Sequence, residues 1–277
     1  MFASGHSKIP RKRAQGMDLK KLFYLPVNAS AHGHEIDMVI YLIHLLMFVL
    51  FSGWAIYFTI VLIRFNRKKN PRADYYGVKK HYSTYIEIAV AVFEAILLVG
   101  FSIPFWIKQV NAFPDRPDSL EIKVVAEQFA WNIHYPGRDK IFGSTDLKFF
   151  DKQENPLGLD PDDPNSKDDI VTVNQMTIPI GRPAIIHLSS KDVMHSFSIP
   201  VMRVKQDTIP GLSLPVWFTP TKTGKYEIAC AQLCGIGHYR MKGYLNVVSE
   251  QEFEEWMDEQ SASLSTSTDE GEDDFWN

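Results

Sequence analysis

Hydrophobic residues are spread unevenly along the chain, and two long runs near the N-terminus dominate the pattern. Residues 38–63 include no Asp, Glu, Lys or Arg, and a helix needs roughly 20 apolar residues to cross a bilayer core. This run predicts a membrane-spanning helix. A second run, 82–107, is interrupted by charge only at Glu87 and Glu94 and is also long enough to span. Between the two lie Arg64, Arg67, Lys68, Lys69, Arg72, Lys79 and Lys80, against Lys20, Lys21, Lys108 and Arg116 on the other flanks. Cytoplasmic connections are enriched in Lys and Arg. The loop 64–81 is therefore expected inside, and both ends of a transmembrane hairpin over 36–108 outside. The cluster Lys8, Arg11, Lys12 and Arg13 sits in an outward segment, 1–35, farther from the membrane than that rule counts. No apolar core follows it as in a cleavable signal peptide, so the first span is read as an uncleaved signal.

Beyond Asp118 the pattern changes to short Val- and Ile-rich runs bounded by Pro, Gly, Asn and Asp: 120–126, 170–173, 184–188 and 226–229. Such punctuation predicts an all-β sandwich or barrel, here over 109–250, with Pro114 and Pro117 marking the linker from the membrane. A short closing helix is expected over 251–257, and an acidic disordered tail makes up the rest of 251–277. The net charge of −4 matters less than its placement. Asp160, Asp162, Asp163, Asp168 and Asp169 crowd one Pro-containing loop, read as a solvated loop and as a possible docking surface for a basic partner. No nucleic-acid partner is expected.

The candidate chemistry lies between Cys230 and Met241. Cys230 and Cys234 are the only two cysteines of the 277 residues. A disulfide between them would close a very small loop and stabilise the fold little. His238 and Met241 stand in the same stretch, and two thiolates, an imidazole and a thioether form a soft ligand set that selects copper over magnesium or calcium. Zinc also takes Cys and His, but a thioether is not among its usual ligands. A mononuclear blue-copper site needs one Cys, two His and an axial Met, so the second Cys is left over. Two thiolates on one tight loop could instead bridge two copper ions. A second copper needs its own imidazole, and His195, which follows the run 184–189, is the candidate.

These residues resemble subunit II of cytochrome c oxidase, with its dinuclear copper centre CuA, from about Asp37 to Met257. The resemblance implies a two-helix membrane anchor followed by a cupredoxin-like sandwich. It implies that Cys230 and Cys234 bridge both coppers, that His195 and Met241 complete one, and that His238 and the Gln232 carbonyl complete the other. The aromatic stretch Glu127-Gln128-Phe129-Ala130-Trp131-Asn132 matches the family's electron-accepting patch, with Phe129 where many relatives have tryptophan, and makes Phe129 and Trp131 the candidates. Gln232 replaces a glutamate that many relatives use for magnesium at the junction with subunit I, which places that ion in doubt. Asp207 matches another junction segment, or is a turn aspartate. Ionisable groups within a span point to function. Glu87 matches the glutamate at the mouth of a proton channel, Glu94 has no such match, and His44 is expected to be an interhelix contact.

The implied role is that of an electron-transfer subunit. It would take electrons from cytochrome c or a membrane-bound cytochrome and pass them to haem in subunit I, which also holds CuB, for reduction of oxygen to water. Subunit III and the lipid bilayer are further partners, and the implied location is a bacterial plasma membrane with the copper domain on the periplasmic face. The chain has no Cys-x-x-Cys-His haem attachment motif. Alternatives are a copper-bearing subunit of a nitric oxide reductase and a membrane-anchored copper-delivery protein. A quinol oxidase subunit II would lack the copper ligands.

Overall fold

The computed structural model describes residues 24–72, 75–77 and 80–269, with side chains to residue 262. The basic residues Lys8, Arg11, Lys12, Arg13, Lys20, Lys21 and Lys79, and the last acids of the tail, lie outside the described residues. Helix α1, Gly33–Arg64, spans 32 residues, and a second helical rod spans 30 residues, Tyr82–Asn111. At about 1.5 Å per residue each clears a hydrocarbon core of roughly 30 Å. Phe48, Phe51, Trp54, Phe93 and Trp106 on these rods are left uncovered by the rest of the chain. A soluble protein would bury such faces.

The second rod is built in three pieces: α2 (Tyr82–Leu97), a π turn (Leu98–Ser102) and α3 (Ile103–Asn111). Pro104 explains the middle piece. Its ring crowds the carbonyl four residues earlier and it has no N–H to donate, so a wider turn absorbs the misfit. Ser102 Oγ donates to the Leu97 carbonyl at 3.4 Å. The helix thus continues past 107, the end expected from hydropathy, because apolarity falls off before hydrogen bonding does.

Both outer ends of this hairpin meet the following domain. Residues before α1 lie along it, with Ala29 N donating to Val201 O (2.9 Å), Ala31 N to Thr219 O (3.0 Å) and Thr221 N to Ala29 O (2.7 Å). At the end of α3, Gln109 Nε2 donates to Trp217 O and Trp217 Nε1 donates back to Gln109 O. The two helix ends are therefore on one side, and the basic loop after Arg64 is on the other.

The domain is a sandwich of two five-stranded sheets, ordered β3-β2-β1-β5-β8 and β4-β10-β9-β6-β7. Their spans are β1 Leu120–Glu127, β2 Ala130–Tyr135, β3 Ile170–Val173, β4 Gln175–Pro179, β5 Ala184–Ser190, β6 His195–Ile199, β7 Val204–Thr208, β8 Leu214–Phe218, β9 Gly224–Cys230 and β10 Lys242–Val248. β1 alternates buried and half-buried positions along its length, the period-two signature of a strand with one face inward. Ile122, Val124, Ile133, Ile186, Phe197, Ile228 and Leu245 fill the space between the sheets and are wholly buried. Pairing is antiparallel except for β1 with β5 and β10 with β4.

Two expectations about the loops need correcting. Asp169 is not solvated: it is buried, and its Oδ2 lies 2.6 Å from His134 Nε2 and accepts from Gly143 N at 2.8 Å. Neighbouring Asp163 accepts from Ser144 N and Asn165 N, which holds its carboxyl below the ordinary carboxylate range. The closing helix α4 runs Glu250–Asp269, well beyond 257 and into the stretch expected to be disordered. Ser249 and Glu252 form a reciprocal capping box, and Phe253 and Met257 are buried against the sandwich. Once those turns are fixed, each further residue adds to a helix already nucleated.

Candidate metal centre

β9 ends on Cys230, and the chain returns as β10 only after Met241, so residues 231–241 form a loop at one end of the sandwich. β6 pairs with β9 through Phe197↔Cys230, which brings His195 to the same end. Ala231 N donates to Ser196 O (2.9 Å) and Cys230 N to Met241 O (3.3 Å), closing the loop on both sides. Gly235 has φ +134, and a Cβ on Gly237 would lie 2.3 Å from the Phe129 ring. Only glycine suits the first conformation, and only glycine fits the second contact.

Inside the loop the donor atoms converge. Cys230 Sγ lies 4.0 Å from His195 Nδ1, 3.8 Å from Cys234 Sγ and 3.1 Å from Gln232 O. Cys234 Sγ lies 3.6 Å from His238 Nδ1 and 3.7 Å from Met241 Sδ. All six sequence-predicted metal residues thus share one cluster. The two thiols are free, and their separation is far beyond the roughly 2.05 Å of a disulfide. Burial, reinforced by neighbouring Cys230, pushes the Cys234 thiol up to about 11. Without a cation beside it, that thiol stays protonated at neutral pH.

Asp192, absent from the sequence reading, orients His195. Its Oδ1 is 2.9 Å from His195 Nε2, leaving Nδ1 facing the thiols. Gln128 N and Val193 N also donate to this carboxylate. Burial works against its charge, but these hydrogen bonds outweigh it and hold the group below its ordinary range. A carboxylate behind an imidazole is the usual support of a metal-binding histidine. The spacing Asp-x-x-His before β6 was the available signal. Gln128 Nε2 ties the loop further, donating to Cys234 O at 2.6 Å.

The aromatic candidates separate. Phe129 is half-buried against Gly235 and Gly237. Trp131 is wholly buried, 6.3 Å from the His195 ring and 5.5 Å edge-on to Phe197, so it cannot touch a docking partner. Asp207 is not in a turn: it lies in β7 opposite Ser196 and accepts its Oγ at 2.7 Å. Gln232 has an exposed side chain. Glu87 and Glu94 are exposed on α2, away from the sandwich. His44 Nδ1 lies 2.8 Å from the Ile40 carbonyl of its own helix, so this contact is within one helix.

Residues 120–248 match the family described as cytochrome c oxidase subunit II, periplasmic domain. The chain is 31% identical over 211 residues to the alternative cytochrome c oxidase subunit 2 of Bradyrhizobium diazoefficiens, covering 76% of this chain and 74% of that one. The chain belongs to the cytochrome c oxidase subunit II family. A probable cytochrome c oxidase subunit 2 from Rickettsia bellii is 30% identical over 211 residues, covering 76% of this chain and 72% of the relative. The Rickettsia felis relative is longer, and the match covers 58% of it. Among solved structures, the periplasmic domain of subunit II (CoxB) of Bradyrhizobium japonicum aligns with a TM-score of 0.40 and 29% identity, over 55% of this chain and 98% of that one. As a subunit II, the chain is a membrane-anchored oxidase component with a cupredoxin-like domain on the outer face.

Proposed function

We propose that this subunit II accepts single electrons at the outer face of a bacterial plasma membrane and passes them to haem in subunit I, where oxygen is reduced to water. The observation that carries this reading is the convergence of two thiols, two imidazoles, a thioether and a backbone carbonyl at one end of the sandwich. The donor set fits copper, since thiolate and thioether are soft ligands and, among the described residues, the group gathered with the two thiols is completed by an imidazole. Cys230 and Cys234 would bridge a dinuclear pair, with His195 and Met241 on one ion, and His238 and the Gln232 carbonyl on the other. A bound copper pair with shared thiolates supplies a one-electron carrier whose bonds change little between its two states.

The residues of the chain do the rest. Asp192 holds His195 in one orientation, Gln128 pins the loop at the Cys234 carbonyl, and Trp131 with Phe197 excludes water behind His195. Phe129, packed on the loop and partly exposed, is the contact for a donor, which is cytochrome c or a membrane-bound cytochrome. Glu87 serves at the mouth of a proton path into subunit I, and subunit III completes the assembly. Magnesium is not assigned here, because the exposed Gln232 amide is a neutral and weak ligand for a hard cation.

Electron paramagnetic resonance of the copper-loaded full chain in detergent tests the reading. A hyperfine pattern from one electron shared by two equivalent coppers is expected, and a mononuclear spectrum overturns it.

A further inference from the structure

The membrane hairpin is tied to the sandwich at one corner, and one of those ties is a buried ion pair. Asp37, near the outer end of α1, meets Arg203 just before β7, with Nε 2.7 Å from Oδ1 and Nη2 3.2 Å from Oδ2. The two side chains are only 4% and 7% exposed. Arg203 also donates from Nη1 to Pro200 O (2.6 Å) and from Nη2 to Pro26 O (2.7 Å). One guanidinium thus joins the segment before α1, the first turns of α1 and the turn leading into β7. Its backbone has φ 57, a left-handed conformation that a non-glycine residue adopts at a cost and that these side-chain bonds help to hold. Lys108–Glu35 makes a parallel contact at 2.5 Å, but Lys108 is 62% exposed, and exposed pairs contribute little.

The position of this pair relative to the metal loop matters. β7 runs from beside Arg203 antiparallel to β6, from Ile199↔Val204 to His195↔Thr208. The hairpin held by Asp37 at one end therefore carries His195 at the other. We propose that the Asp37–Arg203 pair is a positioning clamp, setting the distance and orientation of the copper loop relative to the membrane hairpin and hence to the haem-bearing partner subunit. This rests on the electron-transfer function proposed above. An electron leaving the domain crosses to an acceptor on another chain, and its rate falls steeply as that gap widens. Rocking of the sandwich on its anchor would lengthen the gap while leaving the ligands untouched.

The assembled oxidase carrying Asp37→Asn, Arg203→Lys or both tests the clamp. Arg203→Lys keeps the charge but loses the two-pronged geometry that Lys cannot reproduce. Expected are an unchanged copper spectrum, an unchanged rate of copper reduction by the donor, and slower onward transfer to haem, by roughly threefold or more, within the roughly 100-fold that a small misplacement caused far from a reacting centre can cost. The double variant should be no slower than the slower single one, because both remove the same contact. Onward transfer at the wild-type rate in the assembled variants overturns the clamp, as does an additive double effect. Loss of the copper spectrum in Arg203→Lys also overturns it, by making the pair a folding contact only. If Asp37→Asn does not assemble, Arg203→Lys decides on the same readings. A wild-type enzyme without a shared-copper spectrum overturns the proposed function, whereas a normal spectrum with unaltered transfer overturns the clamp alone.

Discussion

His195 illustrates how much of the site depends on single side chains outside the cysteine loop. Its ring is wholly buried and is fixed by Asp192 on one side and Trp131 on another. Replacing Asp192 by Ala removes the orienting bond without touching a ligand. Loss of such a support typically costs about 10–100-fold in metal affinity, so copper titration should show that weakening; wild-type affinity would mean the carboxylate is dispensable. Cys234→Ser removes one of two bridging thiols, and the shared hyperfine pattern should vanish while the chain still folds. An unchanged signal would refute bridging. The ligand types at Cys230, Cys234, His238 and Met241 were legible because they fall in one short stretch. Asp192 offered only its spacing to His195, and Gln128 offered nothing, since its role depends on the turn after β1 meeting the cysteine loop at one end of the sandwich. No local pattern encodes that meeting.

Among the strands, β1, β3, β5 and β9 were visible as short apolar runs between breaking residues, and the others were not. β8 contains Pro215 and lies at the edge of its sheet, where a missing N–H is tolerated; in the sequence the same proline reads as a break. β6 is short and includes His195, Ser196 and Ser198, polar residues whose burial comes from neighbours rather than from hydropathy. At the junction of α1 and the sandwich, His32 is half-buried and its ring lies 6.1 Å from that of Trp217. Burial holds its pKa below the ordinary 6.5, with Glu35 and the Arg203 backbone pulling upward and Lys108 downward. The unfolded chain therefore binds a proton more readily than the folded one. Stability from this contact is complete above pH 6.5 and is lost as pH falls through the lower folded value. The thermal midpoint should drop between pH 7.5 and 5, and His32→Gln should flatten that drop relative to wild type. An identical slope in the variant would assign the acid sensitivity elsewhere.

For the molecule as a whole, the charge of the connecting loop and the contacts of the helix ends agree on orientation. Asn66→Cys, in the basic loop, should resist a membrane-impermeant maleimide applied to spheroplasts and react in inverted vesicles, whereas Lys222→Cys, exposed on the sandwich, should do the reverse. The opposite pattern would invert the topology. The main-chain bonds joining Ala29 and Ala31 to Val201, Thr219 and Thr221 have a consequence for biogenesis. The sandwich borrows part of its edge from a segment made before the first span, so these bonds close only when that segment and the sandwich lie on the same side of the bilayer. A chain with only one of its two spans inserted leaves the row beside Val201 unpaired and the Arg203 guanidinium without its carboxylate.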